Sequence, residues 1–205
     1  MNDAGASAQA TADALAKAQD ARVVVLVEGL SDQIALQALA SGRDRDLGAE
    51  RVVIVPMGGA HAVGRFLARF GPQGGRVRLA GLCDLREAEV FVRALAAAGA
   101  GSPRTRADLE RLGFHVCVDD LEDELIRSVG PTAVEALFDA QGDLAAFRSL
   151  QSQPAWRGRE LTAQLRRFLG SGARRKLRYA GLLVEAAVGR EAVPRPLDAL
   201  LAATR

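Results

Sequence analysis

Through the first 130 residues, short runs of uniformly apolar residues alternate with segments whose apolar positions recur every three or four residues. Val23-Val24-Val25-Leu26-Val27 has no polar position, so the strand it predicts is buried on both faces, as in a parallel sheet. Residues 51–55, 77–83 and 114–118 predict three further strands. Between them, residues 31–41, 61–70, 87–98 and 121–129 carry apolar stripes at helical spacing, and a short helix is expected between Thr105 and Gly113. Ser31 and Thr105 are candidate N-caps, and Pro56-Met57-Gly58-Gly59 is expected to break the second strand. The alternation predicts an α/β fold: a doubly wound, mainly parallel four-stranded sheet. Beyond Gly130 the strand-like runs stop, and Pro131, Gly142, Pro154, Gly158, Gly170 and Gly172 punctuate short helices. The expected organisation is a tail or short helix over 1–21, an α/β domain over 22–130 and a basic helical extension over 131–205.

The strand ends carry the candidate chemistry. The first strand runs into Glu28-Gly29-Leu30-Ser31-Asp32, and the third into Asp84, with Arg86, Glu87 and Glu89 behind it. The fourth runs into Asp119-Asp120-Leu121-Glu122-Asp123-Glu124. Ligands of parallel sheets sit beyond the carboxyl ends of the strands. Carboxylates gathered there repel one another unless a cation lies between them, and clustered oxygen donors suit Mg²⁺ or Mn²⁺. A second explanation stays open: acids in the first turn of a helix complement its macrodipole. Glu28 reads as a metal ligand or a general acid/base, Asp32 as a ligand or a helix-start acid, and Asp84 as the ligand its strand places best. Gly58-Gly59 either offers backbone N–H groups to a phosphate or supplies a turn that needs positive φ. No Gly-Lys-Ser/Thr follows, so it is not a Walker loop. His61 reads as a surface residue and His115 as a hydrogen-bonded structural one.

Taken in order, Val27-Glu28-Gly29-x-Ser31-Asp32, the Gly58-Gly59 turn, Asp84 and Asp120-Leu121-Glu122 resemble a Toprim domain. The likeness is greatest to the Toprim half of the overcoming-lysogenisation-defect (OLD) nucleases. It covers about residues 22–128 and extends more loosely to Lys176, which Tyr179-Ala180-x-Leu182-Leu183 follows. The resemblance implies a Toprim-like sheet in which the first and third strands are adjacent, bringing Glu28 and Asp84 together, with Glu122 approaching from the far side. It implies a metal-dependent nuclease or phosphoryl-transfer protein acting on nucleic acid, with DNA as the expected substrate. Mg²⁺ or Mn²⁺ would be held by Glu28, Asp32, Asp84, Glu87 and Glu122, with Glu28 and Lys176 as the catalytic groups. The family carries Asp-x-Asp at the third strand, whereas this chain has Asp84-Leu85-Arg86. Glu87 or Glu89 is then the replacement ligand, or the chain is a catalytically degenerate nucleic-acid-binding module. The 205 residues do not include the ATPase half of those nucleases, which leaves open a separately encoded ATPase partner.

Composition adds limits. Hydrophobic content of 49% with 25% charged residues describes a globular chain with one good-sized core. No apolar run reaches the ~20 residues that span a bilayer, and no secretory signal is visible, so no membrane partner and a cytoplasmic location are expected. Cys83 and Cys117 lie in apolar runs and read as buried thiols; a Cys-Cys-His site with His115 lacks ligand spacing. Net charge is +2, but residues 141–205 hold 12 basic and 5 acidic residues, an excess of seven. An acidic lobe beside a basic one fits a polyanion, with Gly58, Gly59, Arg157, Arg174, Arg175 and Lys176 as the expected nucleic-acid contacts. A solvated basic helix face explains the same arginines. Trp156, the only tryptophan, either stacks on a base or anchors the helical segment to the core.

Overall fold

The computed structural model describes residues 3–72 and 77–205, with four parallel strands in the order β2-β1-β3-β4. They are β1 (Val23–Val27), β2 (Val52–Pro56), β3 (Arg78–Asp84) and β4 (Phe114–Cys117). β1 is central and pairs with β2 from Val23↔Val52 to Val27↔Pro56, and with β3 from Val23↔Arg78 to Leu26↔Gly81. The chain therefore leaves β1 for one side of the sheet and returns on the other. The junction of β1 and β3 is the topological switch point, where open α/β sheets bind ligands.

The apolar run of β1 is explained by the two layers that cover it. Val23, Val25 and Val27 enter one core, Val24 and Leu26 the other, and all five are buried. The second core gathers α1 (Asp3–Lys17), α3 (Val63–Phe70), α4 (Ala88–Ala97) and α5 (Arg106–Arg111). The first gathers α2 (Leu30–Gly42) and α6 (Leu121–Val129) with α7 (Pro131–Ala140), α8 (Leu144–Ser152), α9 (Leu161–Leu169), α10 (Ala173–Gly189) and α11 (Arg195–Ala202). The C-terminal helices thus share a continuous core with the sheet. Phe138, Phe147, Phe168 and Tyr179 join α7 to α10 through ring pairs with centroids 4.9–5.3 Å apart. α10 lies across α2 and α6, and α11 packs on β3 and β4. Arg22 and Arg45 donate to carbonyls of Thr204 and Leu201 at the end of α11, where carbonyls lack helical partners.

Several local expectations are corrected. The N-terminal segment is a helix of 15 residues, held against the sheet edge by Thr11, whose hydroxyl donates to the Pro56 carbonyl at 2.6 Å. β2 does stop at the Pro56-Met57-Gly58-Gly59 segment, one residue later than expected: Pro56 is its last residue, on the edge strand of the sheet. Ser31 is not the N-cap of α2: it lies inside the first turn, Gly29 is the cap, and the Asp32 carboxylate accepts the Gly29 N–H at 2.9 Å. Thr105 does cap α5, accepting from the Asp108 N–H. His115 is buried, but neither ring nitrogen has a hydrogen-bond partner among the described residues. Cys83 and Cys117 are free and buried in opposite cores, which removes a Cys-Cys-His site. Among the described residues no helix is long and apolar enough to cross a membrane.

Gly81 shows how tightly β3 is pressed into the sheet. A Cβ there would lie 2.7 Å from the Phe114 ring and 2.8 Å from the Leu26 carbonyl oxygen. Because the second obstacle is backbone of β1, side-chain repacking cannot relieve it. Gly81→Ala is expected to destabilise the fold by about 1–3 kcal/mol, the usual cost of overpacking. Urea unfolding checks this, and an unchanged midpoint would contradict the close approach.

Candidate functional site

Elements from both layers place charged groups at the carboxyl end of the sheet. Glu28 directly follows β1, and its Oε1 accepts the backbone N–H of Asp84, the last residue of β3, at 3.2 Å. The two acids are brought together because β1 and β3 are neighbours in parallel register. Gly58 and Gly59 hold the Glu28 backbone from the other side. Both N–H groups donate to the Glu28 carbonyl, at 3.0 and 2.9 Å, with φ of 78° and 117°. A Cβ at either position would meet open space, so positive φ rather than crowding favours glycine. Their expected role as a phosphate cradle is therefore corrected: the donors are already engaged, and the turn positions Glu28.

Asp32 sits in the first turn of α2 and Glu122 in the first turn of α6. α10 spans both helices and carries Lys176 in its own first turn, with Nζ 3.2 Å from Glu122 Oε1. Buried Tyr179, one turn later, anchors α10 and donates to Asp143. Lys176 thus faces the acids. Burial works against its charge, but Glu122, Asp32 and Asp120 outweigh it and hold the ammonium above its ordinary pKa.

The carboxylates show the cost of convergence. Burial pushes Asp84 up to about 8, with Glu28, Asp32, Asp120 and Glu122 adding repulsion. Burial likewise pushes Asp32 up to about 7, opposed by the Gly29 N–H and Lys176 and reinforced by Glu122 and Glu28. Glu28 is raised by burial and by Glu87 and Glu122, while the Asp84 N–H and Lys176 act against the shift. The two strand cysteines beneath are inert, with Cys83 pushed up to about 12 by burial.

The geometry gives a physical reason for preferences that the sequence drew from motif order alone. Asp120 caps α6 by accepting the Asp123 N–H and pairs with Arg166, while Glu124 accepts the Val118 N–H and pairs with Arg127. Glu122 is left facing Lys176. Glu87 is close enough to act on Glu28, whereas Glu89 lies on the surface in an ion pair with Arg93. Arg86 is exposed on the short turn after β3. In the helical segment Arg175 is not a free phosphate contact: it stacks on Phe168 at 4.0 Å and donates to Ser171 Oγ. Arg148, Arg166, Arg178 and Arg195 are also ion-paired, so much of the positive excess is spent inside the fold. Arg157 and Arg174 are exposed. Arg167, which sequence reasoning passed over, is exposed beside Trp156; only the fold of α9 could reveal it.

The donor set fits a hard divalent cation in chemistry, being all oxygen and short of positive charge. As the side chains stand, no three His, Cys, Asp or Glu residues among the described ones form a metal-ready group. Glu28 and Asp32 each use one oxygen for a backbone N–H, and Glu122 uses one for Lys176. Among the described residues their second oxygens have no hydrogen-bond partner, which leaves one oxygen of each free of the protein's own donors.

A pH dependence follows. Asp84 and Asp32 keep their protons in the folded chain well above the ordinary carboxylate range. Between pH ~4 and 8 the unfolded chain releases protons that the folded chain retains, so stability falls as pH rises through this window. In EDTA the melting temperature should drop by a few degrees from pH 5 to pH 8. Mg²⁺ or Mn²⁺ should restore it at pH 8. Asp84→Asn should flatten the pH slope and shrink the metal effect; calorimetry showing wild-type slope and metal response in that variant would oppose a shared crevice.

Comparison with known proteins agrees with this geometry. The sequence model described as "Overcoming lysogenization defect protein-like, TOPRIM domain" matches residues 21–84, from the start of β1 to the end of β3. No curated protein matches the chain by sequence. Its structure is similar to the C-terminal region of the OLD protein of Xanthomonas campestris pv. campestris, with 18% identity, a TM-score of 0.64, and coverage of 91% of this chain and 93% of that one. It is also similar to the C-terminal region of the Burkholderia pseudomallei OLD protein, with 18% identity, a TM-score of 0.62, and coverage of 90% and 97%. The strands that join Glu28 to Asp84 are thus the part of the chain that resembles the OLD-like Toprim model, and the whole fold is similar to that of the C-terminal region of OLD proteins.

Proposed function

We propose that this chain is a divalent-metal-dependent nuclease acting on nucleic acid, with DNA as the expected substrate. The observation that carries the reading is the convergence of Glu28, Asp32, Asp84 and Glu122 at the carboxyl end of the sheet, where Lys176 pairs with Glu122 and the pKa values of Glu28, Asp32 and Asp84 are raised. Such strain is characteristic of sites that need a cation. Toprim domains as a class bind divalent ions, and Mg²⁺ or Mn²⁺ suits these oxygen donors.

Glu28, Asp32, Asp84, Glu87 and Glu122 are the proposed metal-holding residues. The bound ions would supply a water nucleophile at neutral pH and neutralise charge on the phosphate. Glu28 would take a proton from that water, a role that suits a carboxylate whose basicity burial has raised. Lys176 would present its ammonium to the non-bridging oxygens as their charge grows. It must exchange its contact with Glu122 for the phosphate, a small movement for a flexible side chain.

A second reading is a Toprim-like module that binds nucleic acid without cutting it. It is favoured by Arg86, which stands where the family carries an aspartate. Arg86 is exposed, however, and Glu87 acts on Glu28, which supports Glu87 as the substitute acid.

Cleavage of labelled single-stranded, duplex and supercoiled DNA with Mg²⁺, Mn²⁺ or EDTA tests the reading. Cutting should require the metal and be abolished by Asp84→Asn, while circular dichroism stays native. Metal-dependent binding without product would favour the second reading. Lys176→Met should lower turnover by about 100-fold or more with little change in affinity, as for removal of a group that stabilises transition-state charge. Weaker binding with normal turnover would make it an ordinary electrostatic contact.

A further inference from the structure

Beside the acids, a cavity of about 430 Å³ opens between α6, α9, α10 and the segment before α9. Its volume suits a small planar ligand. Glu122 and Lys176 line it and also face the acids of the crevice, so the cavity adjoins that site. The remaining wall includes Trp156, Arg166 and Arg167. The acids in this wall are already compensated, Asp120 by Arg166 and Glu122 by Lys176. What is left is an aromatic surface with Arg167, which has no ion-pair partner among the described residues.

Trp156 is held in place. Its carbonyl accepts from the side chain of buried Gln164 at 2.8 Å, and Gln164 is fixed in turn by Gln151 at 2.7 Å. The indole rests partly on the core while also lining the cavity. Arg167 stands over it at 5.9 Å from the ring centroid, whereas Arg175 closes on Phe168 at 4.0 Å. The Phe168 ring face is sealed by its arginine; that of Trp156 is only loosely covered.

We infer that this cavity seats one unpaired nucleobase, stacked on Trp156, with Arg167 on its phosphate, next to the linkage held in the crevice. The inference rests on the nucleic-acid reading above. A base within a duplex cannot enter without leaving its partner, so the site selects single-stranded, frayed or flap-like substrates. Stacking fixes the strand and offers a face that any of the bases can use.

Trp156 is the only tryptophan, so tryptophan emission, excited selectively over the single tyrosine, reports on this cavity alone. In EDTA, a fluorescein-labelled oligothymidylate should bind and quench that emission, while a blunt hairpin duplex should quench it little. By anisotropy, Trp156→Ala should weaken single-strand binding about tenfold, Trp156→Phe should retain most of it, and both should bind the hairpin as wild type does. Wild-type binding with unchanged tryptophan emission, or equal losses on both nucleic acids in Trp156→Ala, would overturn the base site and leave the nucleic-acid reading standing. Failure of wild type to bind either one would overturn that reading and the base site with it.

Discussion

The structure is organised around an unfavourable interaction. Adjacent parallel strands β1 and β3 both end in carboxylates, and the helices covering the sheet add two more in their first turns. Helix N-termini lessen the repulsion, as does Lys176, but they leave Asp84 and Asp32 with strongly raised pKa values. A surface acid would turn into solvent. These acids are held by backbone N–H groups, by the Gly58–Gly59 turn beneath Glu28, and by the packing of α10.

The rest of the fold makes that crowding tolerable. Two hydrophobic layers bury β1 on both faces and fix the register that puts Glu28 beside Asp84. The aromatic cluster of α7–α10 performs the same service for Lys176, because Tyr179 sets the rotation of α10. The helical segment is thus part of the site: its ion pairs with Asp120 and Glu122 fasten it to the start of α6, and Arg178 with Asp143 ties its own helices together. Its positive excess serves assembly first, leaving a smaller number of exposed arginines for a polyanion.

The Toprim likeness and the physical reading support each other at different places. The family match ends at Asp84, before Arg86, Glu87, Glu122 and Lys176. For those residues the local geometry carries the argument. Arg86 is exposed, Glu87 acts on Glu28, and Glu122 is singled out because its neighbours Asp120 and Glu124 are engaged elsewhere.

By itself the sequence determined the strands, most helices and the acids at three strand ends, since uniform apolar runs and helical stripes report burial locally. It also singled out Glu28, Asp32, Asp84 and Glu122, through motif order. Tertiary structure decided what local pattern does not encode: which polar groups already have partners. Gly58 and Gly59 looked free to bind phosphate until the Glu28 carbonyl took both N–H groups. Arg175 looked like a surface cation until it stacked on Phe168, and His115 looked hydrogen-bonded until burial left it without a partner among the described residues. Arg167 and Trp156, eleven positions apart, share a cavity only because α9 folds back over its preceding segment. Hydrophobic periodicity is a property of neighbours along the chain, whereas the satisfaction of a donor or a charge depends on groups that only the completed fold brings near.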